Sequence, residues 1–91
     1  MDKRHTELSP QEQIARRESL YQFIAEHPGL PLAEVIARTR KELLLTLEEM
    51  SRLTGVSVRV VHSIENQQAN PTLATAEKLL KPFGLRMGVF R

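Results

Sequence analysis

Residues 46–65, TLEEMSRLTGVSVRVVHSIE, constrain the fold of this chain more than any other stretch. They describe two short helices joined by a tight turn. Thr46 and Ser57 each stand where a helix needs a side-chain acceptor for its unpaired first N–H groups, and Glu49 follows Thr46 at capping-box spacing. Leu47, Met50 and Leu53 recur at i, i+3 and i+6, which gives the first helix one apolar stripe. Gly55 can take the positive φ of a helix end, and Val56 is an apolar plug between the two helices. Val61 and Ile64 point the second helix inward, so Val58, Arg59, His62 and Ser63 are left on its outer face.

The flanks supply the rest of a helical core. Residues 1–8 are polar and expected to fray. Ser9-Pro10-Gln11-Glu12 opens a helix predicted over about 10–26, with Ile14, Leu20, Tyr21, Phe23 and Ile24 as its apolar residues, the last three expected in the core. His27-Pro28-Gly29 ends it. Leu32, Val35, Ile36, Thr39 and Leu43 predict a second helix from about Pro31 to Leu43 or Leu44. After a loop at 67–71, Thr72 caps a last helix whose buried face is read as Leu73, Ala76, Leu79, Leu80 and Phe83. Pro82 biases Lys81 away from helical geometry, so this helix is expected to end or kink there, with Gly84 finishing the turn. Residues 85–90 alternate in the period of a strand, with Leu85, Met87 and Val89 on one face. A lone strand cannot satisfy its own backbone groups, and the partner expected for it is the same strand of a second copy.

Composition narrows the function classes. Ninety-one residues make one small domain, and at 4% aromatic with no Trp its core must be mostly aliphatic. Without Cys there is no disulfide and no thiolate metal site, which fits a reducing compartment. The longest apolar run is Leu43-Leu44-Leu45, far short of a membrane span, and the N-terminus lacks the apolar core of a signal peptide. Net charge is +2, unevenly spread: residues 1–31 carry four basic and five acidic side chains, residues 32–91 nine and six. The second part therefore leans toward an anionic partner. His5, His27 and His62 are scattered and no phosphate-loop or nucleophile motif occurs, so neither a metal, a cofactor nor catalysis is expected.

Residues 33–85 resemble the Xre/Cro-type helix-turn-helix family of bacterial and phage repressors. The residues that carry the resemblance are Leu43, Thr46, Glu49, Met50, Thr54-Gly55-Val56-Ser57, Val61, Ile64-Glu65-Asn66, Asn70-Pro71-Thr72-Leu73 and Ala76-Glu77-Lys78-Leu79-Leu80. Phe83-Gly84-Leu85-Arg86-Met87-Gly88-Val89 is similar to the tail of HipB-like antitoxins, in which a C-terminal strand pairs across a dimer. The resemblance implies an all-α, five-helix, lambda-repressor-like domain with an added N-terminal helix and a short C-terminal β-strand. Its divisions would be an extension at 1–31, the DNA-binding unit at 32–84 and a dimerisation strand at 85–91, with Leu85, Met87, Val89 and Phe90 at the dimer contact.

The function so implied is a homodimeric, sequence-specific repressor of a palindromic operator, cytoplasmic and associated with the nucleoid. It would be the antitoxin of a type II module that binds a kinase-like toxin of the HipA type. The expected DNA-binding residues are Thr46, Ser57, Val58, Arg59, His62, Ser63, Gln67 and Thr72. Arg59 can donate two bonds to guanine O6 and N7, Val58 can touch a thymine methyl, and Ser63 can bond base or phosphate. Arg40 and Glu65 fall on a family ion pair that fixes the recognition helix. The sequence departs from the pattern at several points: Leu47 stands where the family usually has Gln, Leu44 where it has Gly, Gln67-Gln68 replace a loop often containing Gly and basic residues, and Pro82 interrupts a helix that the family normally completes. These departures leave open a protein-interaction module that has lost DNA affinity; a stand-alone or prophage repressor with no toxin is the alternative within the DNA-binding class.

Overall fold

The computed structural model describes residues 8–89; the polar lead at 1–7 and the pair Phe90-Arg91 lie outside them. Among the described residues there are five α-helices: α1 Pro10–Glu26, α2 Leu32–Glu42, α3 Leu47–Thr54, α4 Val58–Glu65 and α5 Leu73–Leu80. A 3₁₀ turn, Lys81–Phe83, continues α5. Three of these helices have only eight residues, too short to stand alone, so tertiary packing must hold them.

Local chemistry fixes where the helices begin. Ser9 Oγ accepts the Glu12 N–H at 3.1 Å while Glu12 Oε1 accepts the Ser9 N–H at 2.8 Å. That backbone bond, with the Ser9 side chain and Arg16 assisting, holds the Glu12 carboxyl below the usual carboxylate range. Thr46 and Glu49 form the same reciprocal box at α3, at 3.0 and 2.9 Å. Pro31 precedes α2 rather than opening it: its ψ of 147° is extended, so it takes the cap position and the helix begins at Leu32.

Three helix ends close in one way, with paired 6→1 and 5→2 backbone bonds around a left-handed residue. After α2, Leu44 has φ 55°, with Leu44 N–H donating to Lys41 O at 3.2 Å and Leu45 N–H to Arg40 O at 2.9 Å. After α4, Gln67 has φ 59°, with bonds to Ile64 O at 3.0 Å and from Gln68 to Ser63 O at 2.8 Å. After the 3₁₀ turn, Gly84 has φ 70°, with bonds to Lys81 O at 3.0 Å and from Leu85 to Leu80 O at 3.2 Å. Only the last of these turns uses glycine.

The core gathers Ile36, Leu43, Met50, Val56, Val61, Ile64, Leu79 and Phe83, with Leu32, Leu45, Leu47 and Leu85 half-buried around it. Phe83 is its single aromatic ring, and everything else is aliphatic or Met. Thr39 is buried too, and its hydroxyl has no hydrogen-bond partner among the described residues.

Several expectations are corrected. Leu73 is 72% exposed, because α5 turns toward the core only from Ala76 onward. Leu53 is also exposed, since the inward face of α3 is Met50 and Thr54 at i, i+4, not Met50 and Leu53. α5 ends at Leu80, as expected ahead of Pro82, but Lys81 keeps helical angles, φ −57° and ψ −45°, because the chain tightens into a 3₁₀ turn there. In α1 only Leu20 is fully buried; Tyr21 and Ile14 are exposed and Phe23 and Ile24 half-buried. Phe23 lies between the Arg38 guanidinium, 3.7 Å from its centroid, and the His27 ring, 4.1 Å away. Finally, Leu85–Val89 forms no strand. The alternation is present, but a strand needs a neighbouring backbone to bond, and no other described residue of one copy pairs with it. Phe90, the last expected dimer contact, lies outside the described residues.

Candidate nucleic-acid interface

The turn between α3 and α4 is fixed from both sides. Gly55, at φ 76°, caps α3 with its N–H on Ser51 O at 2.8 Å. The Thr54 hydroxyl donates to Met50 O at 2.8 Å and accepts the Val56 N–H at 3.2 Å, so the backbone donor of the buried Val56 is satisfied. Val56 fills the gap between the helices, and Val61 and Ile64 seal α4 against the core.

That packing decides which side of α4 is free. Ser57, Val58, Arg59 and His62 are exposed and Ser63 is half-buried. Positions i, i+1, i+4 and i+5 share one helical face, so Val58, Arg59, His62 and Ser63 form one continuous surface. Asn66 extends the row. Its side-chain N–H donates to His62 O at 3.0 Å and its amide nitrogen lies 3.1 Å from His62 Nε2. The sequence places Asn66 in the family pattern but not among the expected DNA contacts, although its i+4 spacing from His62 is a usable signal and its amide is of the type that reads adenine.

The remaining expected contacts are helix openings and a loop, not part of that row. The Thr46 hydroxyl accepts the Glu49 N–H, and the Ser57 hydroxyl accepts the Val60 N–H at 3.2 Å. Thr72 is more committed, accepting the Thr75 N–H and donating to the Thr75 hydroxyl, both at 3.1 Å. These hydroxyls orient the first turns of α3, α4 and α5. Gln67 is exposed in the left-handed turn after α4. Leu47, at the first position of α3, packs against the core.

Arg40 ties α4 to α2. Its Nε donates to Glu65 Oε2 at 2.8 Å and its Nη2 to Glu65 Oε1 at 3.0 Å, a bidentate pair. Its Nη1 donates to Leu45 O at 3.1 Å. The same side chain therefore grips the last turn of the outward-facing helix and the left-handed turn leading into α3.

A helix held by its inner face and its last turn, with a free outer face carrying Arg, His, Ser and Asn, has the layout of a recognition helix. The helix-turn-helix family model matches residues 36–90, more than half of the chain. The chain belongs to the Xre/Cro-like helix-turn-helix family. As a member of this helix-turn-helix family it is a DNA-binding regulator. No curated protein and no solved structure matches it. Among the described residues, no group of three or more His, Cys, Asp or Glu could hold a metal ion, and no helix is long and apolar enough to cross a membrane.

Proposed function

We propose that the protein is a sequence-specific repressor that binds a palindromic operator as a homodimer. The observation that carries this reading is the exposed row of Val58, Arg59, His62 and Ser63 on a helix anchored by the Arg40–Glu65 pair. Arg59 reads guanine, Val58 a thymine methyl, and Ser63 base or phosphate, while the openings at Thr46, Ser57 and Thr72 and the exposed Gln67 meet the backbone. Leu85, Met87 and Val89 pair with the same residues of the second copy, filling backbone groups that one copy leaves open. The protein is not an enzyme, needs no cofactor and acts in the cytoplasm on the nucleoid.

The similarity of the tail to HipB-like antitoxins supports a narrower role, as the antitoxin of a type II module that represses its own operon and binds a HipA-like kinase toxin. A kinase-like gene beside this one is the simplest sign of it; its absence favours a stand-alone or prophage repressor. One observation favours a third reading, a protein-interaction module without DNA affinity: Leu47 turns into the core at a position where the family places a polar phosphate contact.

Selection of bound duplexes from a random pool by the purified protein tests the proposal. A repressor enriches an inverted repeat whose half-sites lie about one helical turn, roughly 34 Å, apart. An unenriched pool contradicts it.

A further inference from the structure

The family unit begins at Ile36, so α1 lies outside it and has no assigned role. It buries only Leu20 fully, which makes it a minor contributor to the core. Its polar contacts are placed with more purpose. Arg16 Nη1 donates to Glu42 O at 3.0 Å, in the last turn of α2. The Tyr21 hydroxyl donates to Phe83 O at 2.6 Å, where the 3₁₀ turn ends. Helix-end carbonyls lack intrahelical donors, and α1 supplies donors to two of them.

The second contact sits at the point where the C-terminal tail departs. Gly84 reverses the chain in its left-handed conformation, and a Cβ there would lie 3.2 Å from the Tyr21 hydroxyl oxygen. Arg17 braces the same point: its Nη1 is 3.4 Å from the Tyr21 hydroxyl and its guanidinium carbon 5.8 Å from the Phe83 centroid. Beyond the Leu85 N–H, no backbone hydrogen bond among the described residues joins Arg86–Val89 to the domain. Among the described residues the tail is thus tied by backbone bonds only at the 83–85 turn, and beyond it Leu85–Val89 run beside Ile24, Leu32, Val35 and Leu80 around one cavity.

From this geometry we infer that Tyr21 is a positioning residue for operator recognition: its bond to Phe83 fixes the exit angle of the tail and thereby the distance between the two recognition helices of a dimer. The inference rests on the tail-paired homodimer proposed above. The lever is long enough to matter. The domain measures 38 Å along its longest axis, so a 10° change at the turn, acting over half that length, displaces the far side by about 3 Å. That is roughly the rise of one base pair, about 3.4 Å. A dimer with a fixed exit angle accepts one half-site spacing, whereas one with a loose angle accepts several.

The test uses the full chain, wild type and Tyr21→Phe, on duplexes carrying two copies of the half-site recovered by selection, with the spacing varied one base pair at a time. A duplex with one half-site reports on the recognition helix alone. Wild type should prefer one spacing by about tenfold over its neighbours, because only that geometry lets both helices engage. Tyr21→Phe should flatten this preference to within about threefold while binding the single half-site as wild type does. Arg16→Ala, which loosens α1 at its other contact, controls for general destabilisation and should keep the preference. If Tyr21→Phe keeps the wild-type preference, or if Arg16→Ala flattens it equally, the inference is wrong and the homodimer stands. If the wild type is monomeric and shows no preferred spacing, the homodimer itself fails and takes the inference with it.

Discussion

Arg40 and Glu65, 25 positions apart, meet through two parallel hydrogen bonds of 2.8 and 3.0 Å, with their side chains 24% and 9% exposed. The pair clamps the end of α4 to α2, and Arg40 reaches Leu45 O as well. Removing Arg40 strands a nearly buried carboxylate. Arg40→Ala should cost about 2 kcal/mol, less than the roughly 3–5 of a fully buried pair, because Arg40 retains some solvent. Arg40→Met combined with Glu65→Leu should recover most of that stability and still bind operator more weakly, because the helix loses its directional anchor. Urea denaturation and duplex titration of the three proteins separate the two effects. Equal operator affinity in the double variant would reduce the pair to a stabilising role.

Leu44 occupies a left-handed turn at φ 55°, where a side chain other than glycine's is strained by roughly 1–2 kcal/mol. It is exposed, so little packing is lost on its removal. Leu44→Gly should raise stability by about 0.5–1 kcal/mol after the greater freedom of glycine in the unfolded chain is subtracted. A lower thermal midpoint in Leu44→Gly would show that packing outweighs the strain.

Thr39 is buried with its hydroxyl unpartnered among the described residues. An unsatisfied buried polar group costs about 1–3 kcal/mol, and valine has the same shape without the hydroxyl. Thr39→Val should therefore stabilise the fold by about 1 kcal/mol, read as a higher denaturant midpoint at unchanged slope. Destabilisation would mean that the hydroxyl finds a partner in solution.

How much was legible in the sequence follows from how local each determinant is. The boxes at Ser9–Glu12 and Thr46–Glu49 and the turn at Gly55 are written in residues three or four apart, and the helices begin and end accordingly. The side chains of Leu44 and Gln67 do not mark a left-handed turn, and at position 44 the sign is the glycine of the family pattern; the surrounding backbone bonds impose the turn. Within the eight residues of α3, the stripe through Leu53 and the face through Thr54 fit the apolar pattern almost equally, and burial chose Thr54. The outer face of α4 was legible because helical spacing defines it, and Val58, Arg59, His62 and Ser63 lie on it as expected. The Tyr21–Phe83 bond spans 62 positions and depends on one hydroxyl meeting one carbonyl, which no local pattern announces.

Leu47 trades a polar contact for packing. Leu47→Gln should lower stability by about 1 kcal/mol, a fraction of the roughly 1.5–3 for a fully buried leucine. It should also tighten operator binding by adding a donor at the first turn of α3. Because glutamine is uncharged, the dependence of affinity on salt should stay the same, since that slope counts cationic contacts. Titrations at several salt concentrations check both parts; unchanged affinity would place the start of α3 away from DNA.

The central claim is that the outer face of α4 reads DNA sequence, and Arg59 tests it most directly. The measurement is the affinity of wild type and Arg59→Ala for the selected duplex and for a scrambled duplex at one salt concentration. Loss of a bidentate guanine contact should weaken binding to the selected duplex by about 1–3 kcal/mol while affecting the scrambled duplex much less. An equal loss on both duplexes, or no loss on either, would contradict the claim.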